Sequence, residues 1–181
     1  MARALGCCIF DTAIGPCGIA WAEDVIAAVQ LPETTRAGTL ARMRRHSGEV
    51  PESEPPPFVQ RAIERVQRLL EGEHDDLCDL PLALDTVPEF HRRVYELARA
   101  IPPGEVLTYG EVAQRLGDPG AARAVGQALG SNPFAPVVPC HRVMAAGGRS
   151  GGFSATGGVD TKLRMLEIER ARFGGQPGLF D

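Results

Sequence analysis

Short apolar segments separated by turn residues occupy the first 31 residues of the chain. The segments are LGCCIFDT, then AIGPCGIAWAED, then VIAAVQLP. Short β-prone runs bounded by glycine-containing turns are typical of consecutive antiparallel strands. The pattern predicts a three-strand antiparallel meander over residues 5–31.

Helical periodicity follows the meander. Residues 36–46 read as a helix with Leu40 and Met43 directed inward, and a loop rich in Pro and Glu comes next. The segment after the loop repeats apolar residues at helical spacing, at Val59, Ile63, Val66 and Leu70. Gly72 ends this second helix. We therefore interpret residues 1–85 as a small α/β domain.

From Val87 onward the pattern becomes mainly helical. The first helix of this part aligns four apolar residues on one face, namely Phe90, Val94, Leu97 and Ile101. Two short helices come after it. Thr108 with Glu111 forms a capping box at the start of one, and Asp118 with Pro119 opens the other. Two short helices joined by a tight turn are typical of a helix-turn-helix, although any pair of packed helices also fits.

The segment SNPFAPVVPCHRVM cannot be helical, because it holds three prolines within seven residues. A glycine-rich segment follows, and then a last helix whose apolar residues available for burial are Leu163, Leu166, Ile168 and Phe173. The whole pattern predicts an α+β fold. It has an N-terminal α/β domain (1–85), a mainly helical C-terminal domain with a helix-turn-helix (86–175) and a flexible tail (176–181).

Composition narrows the class of protein. No apolar run approaches the roughly 18–20 residues that a membrane span requires. The five cysteines, without a secretion signal, argue against a disulfide framework. We therefore expect a cytoplasmic protein with reduced thiols. Cys7, Cys8 and Cys17 have no histidine nearby at ligand spacing, so we interpret them as buried apolar cysteines and not as a metal site.

The net charge of −4 is unevenly distributed. Residues 1–85 carry 8 Arg against 14 Asp and Glu, a balance of −6, and residues 86–175 carry 11 Lys and Arg against 8 Asp and Glu, a balance of +3. Asp181 supplies the remaining −1. The basic half also contains VVPCHRV, which indicates an anionic partner on that side of the molecule.

The chemistry-bearing residues of the second half surround a candidate nucleophile. Cys140 lies between Pro139 and His141 in a proline-stiffened loop, and Glu169 follows on the last helix. A thiolate is the reactive form of cysteine, and an imidazole backed by a carboxylate can generate it. Side chains of adjacent residues in an extended segment diverge. A water bridging Cys140 and His141 is therefore one alternative, and a purely structural cysteine is another.

The blocks PPGEVLTYGEVA, ARAVGQALGSNP, VPCHRV and GGVDTKLRMLEIE resemble the O6-alkylguanine-DNA alkyltransferase family, the methylated-DNA–protein-cysteine methyltransferases. The resemblance covers nearly all of the C-terminal half, whereas the N-terminal half fits the family's variable α/β domain only in outline. The family's substrate is O6-alkylguanine in double-stranded DNA, and O4-alkylthymine is left open as a second one. The resemblance implies a single-turnover methyltransferase that flips its target base, without cofactor and as a monomer.

The resemblance also implies residue roles. Cys140 is the alkyl acceptor, His141 removes its proton through a water, and Glu169 orients that histidine. Tyr109 crowds the flipped nucleotide and protonates the leaving guanine, and Asn132 braces the loop. Arg123, flanked by Ala122 and Ala124, contacts DNA and fills the vacated stack. Pocket positions are assigned to Pro139, Val143, Phe153 and Ser154. Phe153 stands where the family often has tyrosine, so a hydroxyl is lost there.

Two other functions are alternatives, and the tail indicates one partner. A cysteine hydrolase using Cys140 and His141 would explain the Cys-His pair but not Arg123 or the helix pair. A protein that only recognises lesions normally lacks the acceptor cysteine, which is present here. In the tail, Gln176, Leu179 and Phe180 fit the pattern Gln-x-x-Leu-Phe. This pattern resembles the peptide by which bacterial repair proteins dock on the sliding clamp.

Overall fold

The computed structural model describes residues 3–146 and 158–172. Three strands form an antiparallel sheet in the order β1-β2-β3, which confirms the predicted meander. Their bounds are Gly6–Thr12 (β1), Gly15–Trp21 (β2) and Ile26–Gln30 (β3). Gly15 has φ +122°, a conformation that side-chain-bearing residues rarely adopt, so it suits the tight turn between β1 and β2.

Two helices of the N-terminal half follow the sheet, α1 at Arg36–Ser47 and α2 at Pro57–Leu69. The Thr35 hydroxyl accepts a hydrogen bond from the Gly38 backbone N–H and caps α1. Met43 is fully buried on α1, while Leu40 is only half-buried and Thr39 takes the other inward position. The inward residues of α2 recur every three or four positions, namely Val59, Ala62, Val66 and Leu69.

The described residues of the second half form four helices and two short strands. The helices are Glu89–Arg99 (α3), Tyr109–Arg115 (α4), Ala122–Gly130 (α5) and Val159–Ile168 (α6). The strands are Leu107–Thr108 (β4) and Val143–Met144 (β5), which pair in parallel. Single 3₁₀ turns occur at Leu84–Thr86, Pro119–Ala121 and Cys140–Arg142. The sequence pattern did not predict the β4–β5 pair.

The helix-turn-helix consists of α4, the Pro119–Ala121 turn and α5. The predicted cap of α4 is confirmed, because the Thr108 hydroxyl accepts a hydrogen bond from the Glu111 N–H. The predicted start of the second helix at Asp118 is wrong. Pro119 begins a 3₁₀ turn, the Asp118 side chain makes no capping hydrogen bond, and α5 itself begins at Ala122.

Two helices bury faces that differ from the predicted ones. On α3 the buried residues are Val94, Tyr95 and Ala98, whereas Phe90 and Leu97 are half-buried. Tyr95 is buried because its hydroxyl has a partner, the Ala128 carbonyl at 2.6 Å. On α6, Leu163 and Ile168 are only half-buried, and the inward face is formed by Lys162, Met165 and Leu166. Phe173 lies outside the described residues.

One hydrophobic cluster contains residues from both sides of position 85, such as Ile19 and Val66 together with Val94 and Val125. The division into domains at that position stays a prediction. Within the described ranges, no helix combines the length and the apolarity that crossing a bilayer demands.

Candidate active site

Cys140 opens a 3₁₀ turn directly after Pro139 and is buried, with 8% of its surface exposed. The preceding loop is held by Asn132. Its Nδ2 donates to the Val138 carbonyl at 2.8 Å, and its Oδ1 accepts from the Phe134 N–H at 2.9 Å. The Cys140 N–H donates to the same Val138 carbonyl at 2.9 Å. These bonds fix the backbone that presents the thiol.

The side chain of Glu169 connects the two residues that follow Cys140. His141 Nε2 lies 3.0 and 3.1 Å from the two carboxylate oxygens. Arg142 donates to the same oxygens from Nε at 2.9 Å and from Nη2 at 2.7 Å. Arg142 Nη1 also donates to the Ile101 carbonyl at 2.7 Å. Glu169 follows directly after the last residue of α6, so that helix delivers the carboxylate to the Cys140 turn.

Burial affects the protonation of the Cys140 cluster, the group of buried side chains that consists of Cys140, His141, Arg142, Lys162 and Glu169. It lowers the pKa of His141, and the nearby Glu169 carboxylate only partly opposes it. Burial alone would raise the pKa of Glu169, but the charge of Arg142 and the hydrogen bonds from Arg142 and His141 hold it at about 2. Glu169 is therefore ionised at neutral pH and accepts the Nε2–H of a neutral His141. That tautomer leaves Nδ1 as the basic nitrogen, and Nδ1 is buried without a hydrogen-bond partner in the described structure.

The Cys140 thiol is also affected by its surroundings. Burial raises its pKa, while the Asn132 amide and the Lys162 ammonium oppose that rise. A cavity of about 200 Å³ opens onto Cys140 between the Asn132 loop and the N-terminal half. Its walls include Leu31 and Leu129. Cys140 therefore borders a space that can admit a small group.

Tyr109 and Lys162 meet beside Val143. The β4–β5 pair aligns Thr108 with Met144, which brings the start of α4 next to the strand that leaves the Cys140 turn. Lys162 Nζ donates to the Val143 carbonyl at 2.7 Å and lies 5.7 Å from the centroid of the Tyr109 ring. Tyr109 is half-buried, and burial together with Cys140 raises the pKa of its phenol. Tyr109 therefore keeps its proton at neutral pH.

The remaining predicted site residues occupy two other places. Arg123 is exposed near the start of α5, and Ala122 and Ala124 beside it are half-buried. Pro139 and Val143 are buried on either side of the Cys140 turn. Phe153 and Ser154 lie outside the described residues, as do Gln176, Leu179 and Phe180 of the tail.

Two residues of the cluster were missed by the sequence interpretation, Arg142 and Lys162. Arg142 is 1% exposed and Lys162 is fully buried. A signal for Lys162 existed, because it is the single lysine among the 19 Lys and Arg residues of the chain. For Arg142, the signal was a charged residue directly before the apolar pair Val143–Met144.

The described part of the chain offers no set of side chains suited to binding a metal ion. There, no group of three or more His, Cys, Asp or Glu side chains is placed to hold a metal ion. The five cysteines are all free.

Together, α4, α5 and the Cys140 cluster define the class of protein: a helix-turn-helix protein built around a buried Cys-His-Glu set. Comparison with known proteins supports this class. Residues 89–171 match the family described as 6-O-methylguanine DNA methyltransferase, DNA binding domain. A methylated-DNA–protein-cysteine methyltransferase of Mycolicibacterium paratuberculosis is 43% identical over 176 residues, covering 94% of this chain and 96% of that protein.

Solved structures show the same likeness. The Mycobacterium tuberculosis OGT in complex with DNA superposes with a TM-score of 0.72 at 34% identity, covering 91% of this chain and 92% of the other. The O6-methylguanine-DNA methyltransferase of Pyrococcus kodakaraensis gives 0.68 at 28% identity, covering 93% and 99%. The chain belongs to the methylated-DNA–protein-cysteine methyltransferase family.

Proposed function

We propose that this protein reverses alkylation damage in DNA by transferring the alkyl group from O6 of guanine to Sγ of Cys140. The observation that carries the proposal is the setting of that thiol. Cys140 is buried, and the buried histidine that follows it in the chain has its Nε2 3.0 Å from an ionised carboxylate. The similarity over 94% of the chain to a protein named for this reaction supports the same chemistry.

The substrate atom lies inside the double helix, so the target base must leave the stack. The helix-turn-helix offers the surface for this step, and Arg123 is exposed on α5 where it can enter the vacated space. If Arg123 offsets the cost of unstacking, Arg123→Ala slows transfer from duplex DNA far more than transfer from free O6-benzylguanine, which has no stack to leave. Equal slowing of both substrates would remove this role.

The transfer balances with the groups present. The thiol proton passes to Nδ1 of His141, directly or through one water. The thiolate attacks the alkyl carbon and forms an S–C bond as the C–O6 bond breaks, and the bonding electrons remain on guanine. Tyr109 donates a proton to the leaving guanine, and the proton held by His141 restores the phenol through solvent. The net products are S-alkylcysteine and guanine.

The product of this reaction is a thioether, and no group in the described site could cleave it. One protein molecule therefore repairs one lesion, and we propose that it acts as a monomer in the cytoplasm. The test is a titration of duplex O6-methylguanine DNA with the protein. We expect demethylation to stop at one methyl per protein molecule. Continued turnover would favour a hydrolase, and tight binding without demethylation would favour a protein that only recognises lesions.

We also propose that the tail docks on the sliding clamp. Gln176, Leu179 and Phe180 would present one polar and two apolar groups to a groove, and the preceding glycines would act as a leash. Tethering would raise the concentration of the repair protein at DNA. The test is fluorescence polarisation of a labelled GGQPGLFD peptide with the host's clamp. Binding that is lost when Leu179 and Phe180 are replaced by Ala supports docking, and no binding at high micromolar clamp rejects it.

A further inference from the structure

Lys162 is an unusual residue in this chain. It is the only lysine, every other Lys or Arg position holds arginine, and its side chain is fully buried. Burying an ammonium is unfavourable unless nearby groups compensate for its lost hydration. Lysine also differs from arginine in carrying a compact charge on a flexible stem. The single lysine of the chain is buried with its Nζ on the Val143 carbonyl, three residues after Cys140, and this position indicates a specific use for its charge.

The surroundings of Lys162 connect it to the reacting groups. Nζ donates to the Val143 carbonyl and lies over the Tyr109 ring. It is also within electrostatic range of Cys140, and each group favours the charged form of the other. The other titratable or charged groups near the pair come from α3, α4, the Cys140 turn and the end of α6: Tyr95, Tyr109, His141, Arg142 and Glu169.

The charges of these groups, without Lys162, do not balance a thiolate at Cys140. Arg142 and Glu169 form a tight pair at 2.7 Å, so their formal charges cancel. His141 stays neutral because burial lowers its pKa. The Cys-His-Glu-Arg set thus supplies no net positive charge for a thiolate, although burial disfavours the thiolate form. Lys162 adds the positive charge that the set lacks.

We propose that the Lys162 ammonium is the counter-charge of the Cys140 thiolate and the positioning residue that lowers the pH at which this thiolate forms. His141 then acts as the proton acceptor and Lys162 as the stabilising cation, two roles held by two residues. This proposal rests on Cys140 being the alkyl acceptor, but it is measured without DNA.

The first test follows the alkylation of Cys140 by iodoacetamide against pH, with the modified peptide quantified by mass spectrometry. We expect Lys162→Met to move the midpoint of the profile up by at least about one pH unit, which slows the reaction about tenfold at neutral pH. The rates at high pH should converge, because the thiolate itself is unchanged. Lys162→Arg keeps the charge, so its midpoint should lie close to that of the wild type. Arg164→Met, an exposed cation on the same helix, should leave the profile unchanged.

The second test needs no change at position 162. A protein labelled with ¹³C at lysine Cε gives a single side-chain signal, because the chain has one lysine. Its pH titration reports Lys162 directly, with a midpoint expected at about 8. Cys140→Ala should lower that midpoint, since the thiolate raises the lysine's pKa. Coupling between two sites is reciprocal, so the two shifts should be of similar size and opposite sign.

The two tests also separate this inference from the proposed function. A Lys162→Met profile that is lower at every pH without a shifted midpoint, or a lysine signal indifferent to Cys140→Ala, would overturn the counter-charge role. Either result would leave alkyl transfer to Cys140 intact. Failure of methyl transfer from DNA, with the coupling present, would instead overturn the function and keep the ion pair.

Discussion

Cys17 and Cys140 are both buried thiols, and they lie in different chemical surroundings. Cys17 is on β2 with 0% exposure, and its polar neighbour is the Thr12 hydroxyl at 3.7 Å. Burial raises the pKa of Cys17 to about 12. Cys140 is 8% exposed, but Asn132 and Lys162 oppose the effect of burial on its thiol. Burial alone makes a thiol inert, and reactivity depends on the charges placed around it.

The same contrast extends to the two halves of the molecule. Among the described residues of the N-terminal half the buried polar side chains are uncharged, Gln30 and Thr39, and the ion pairs are half-buried or exposed. The second half buries Arg142 and Lys162 together with the carboxylate of Glu169. Buried charges are costly unless they are paired. Their concentration around one cysteine marks the region where buried charges that are costly for stability serve the reaction.

The largest expected effect separates the two thiols directly. Cys140→Ala should abolish alkyl transfer, because the acceptor sulfur is gone, while Cys17→Ala should transfer at close to the wild-type rate. The measurement is loss of O6-methylguanine from a duplex oligonucleotide. Gel shift with Cys140→Ala should still show DNA binding. Residual transfer by Cys140→Ala, or its loss in a folded Cys17→Ala, would break the comparison.

The next effect compares a buried ion pair with an exposed one. Glu169→Gln leaves Arg142 buried without a full counter-charge and should cost about 3–5 kcal/mol of unfolding free energy. Glu52→Gln removes the partner of Arg36, a pair whose side chains are 61% and 40% exposed, and should cost no more than about 1 kcal/mol. Urea denaturation measures both. Similar costs for the two variants would contradict the assigned difference between the halves.

Acid should remove the contribution of Glu169 to the free energy of unfolding. Its folded pKa of about 2 lies below its ordinary value of 4.5, so its stabilisation is present above pH 4.5 and is lost as pH falls towards 2. The unfolding free energies of wild type and Glu169→Gln should therefore converge by about 3 kcal/mol over this window. A gap that stays constant down to pH 2 would show that the carboxylate is not held ionised by Arg142 and His141.

The smallest effect concerns the polar neighbour of Cys17. The Thr12 hydroxyl donates to the Gly15 carbonyl at 2.7 Å and accepts from the Ile14 N–H at 3.2 Å. Thr12→Val should cost about 1–2 kcal/mol of stability through these turn contacts. Its transfer rate should equal that of wild type. A slower transfer by the folded variant would show that the sheet region acts on the reaction.

Local patterns predicted the N-terminal sheet because strands and turns there depend on neighbouring residues. The capping of α4 by Thr108 was predicted for the same reason. The β4–β5 pair was not, because each strand has two residues and their pairing joins positions 107 and 143. The start of α5 was misplaced because Pro119 suits a 3₁₀ turn as well as the first turn of an α-helix.

The active site was predicted unevenly. Cys140 and His141 stand out in a proline-stiffened loop, and the pairing of His141 with Glu169 followed from a family resemblance and not from spacing. Nothing local indicates that residues 28 positions apart meet at 3.0 Å. Lys162 was missed because a charged residue in an amphipathic helix normally faces solvent. Its burial depends on the Val143 carbonyl and the Tyr109 ring, which reach it only in the folded chain.

The most direct measurement is to find which cysteine carries the transferred group. The native protein is incubated with duplex DNA that contains O6-methylguanine with a deuterated methyl, then digested and mapped by mass spectrometry. We expect one labelled methyl per chain, located on Cys140, with Cys7, Cys8, Cys17 and Cys78 unlabelled. Label on any other cysteine, label spread over several, or demethylated DNA with unlabelled protein would contradict this expectation.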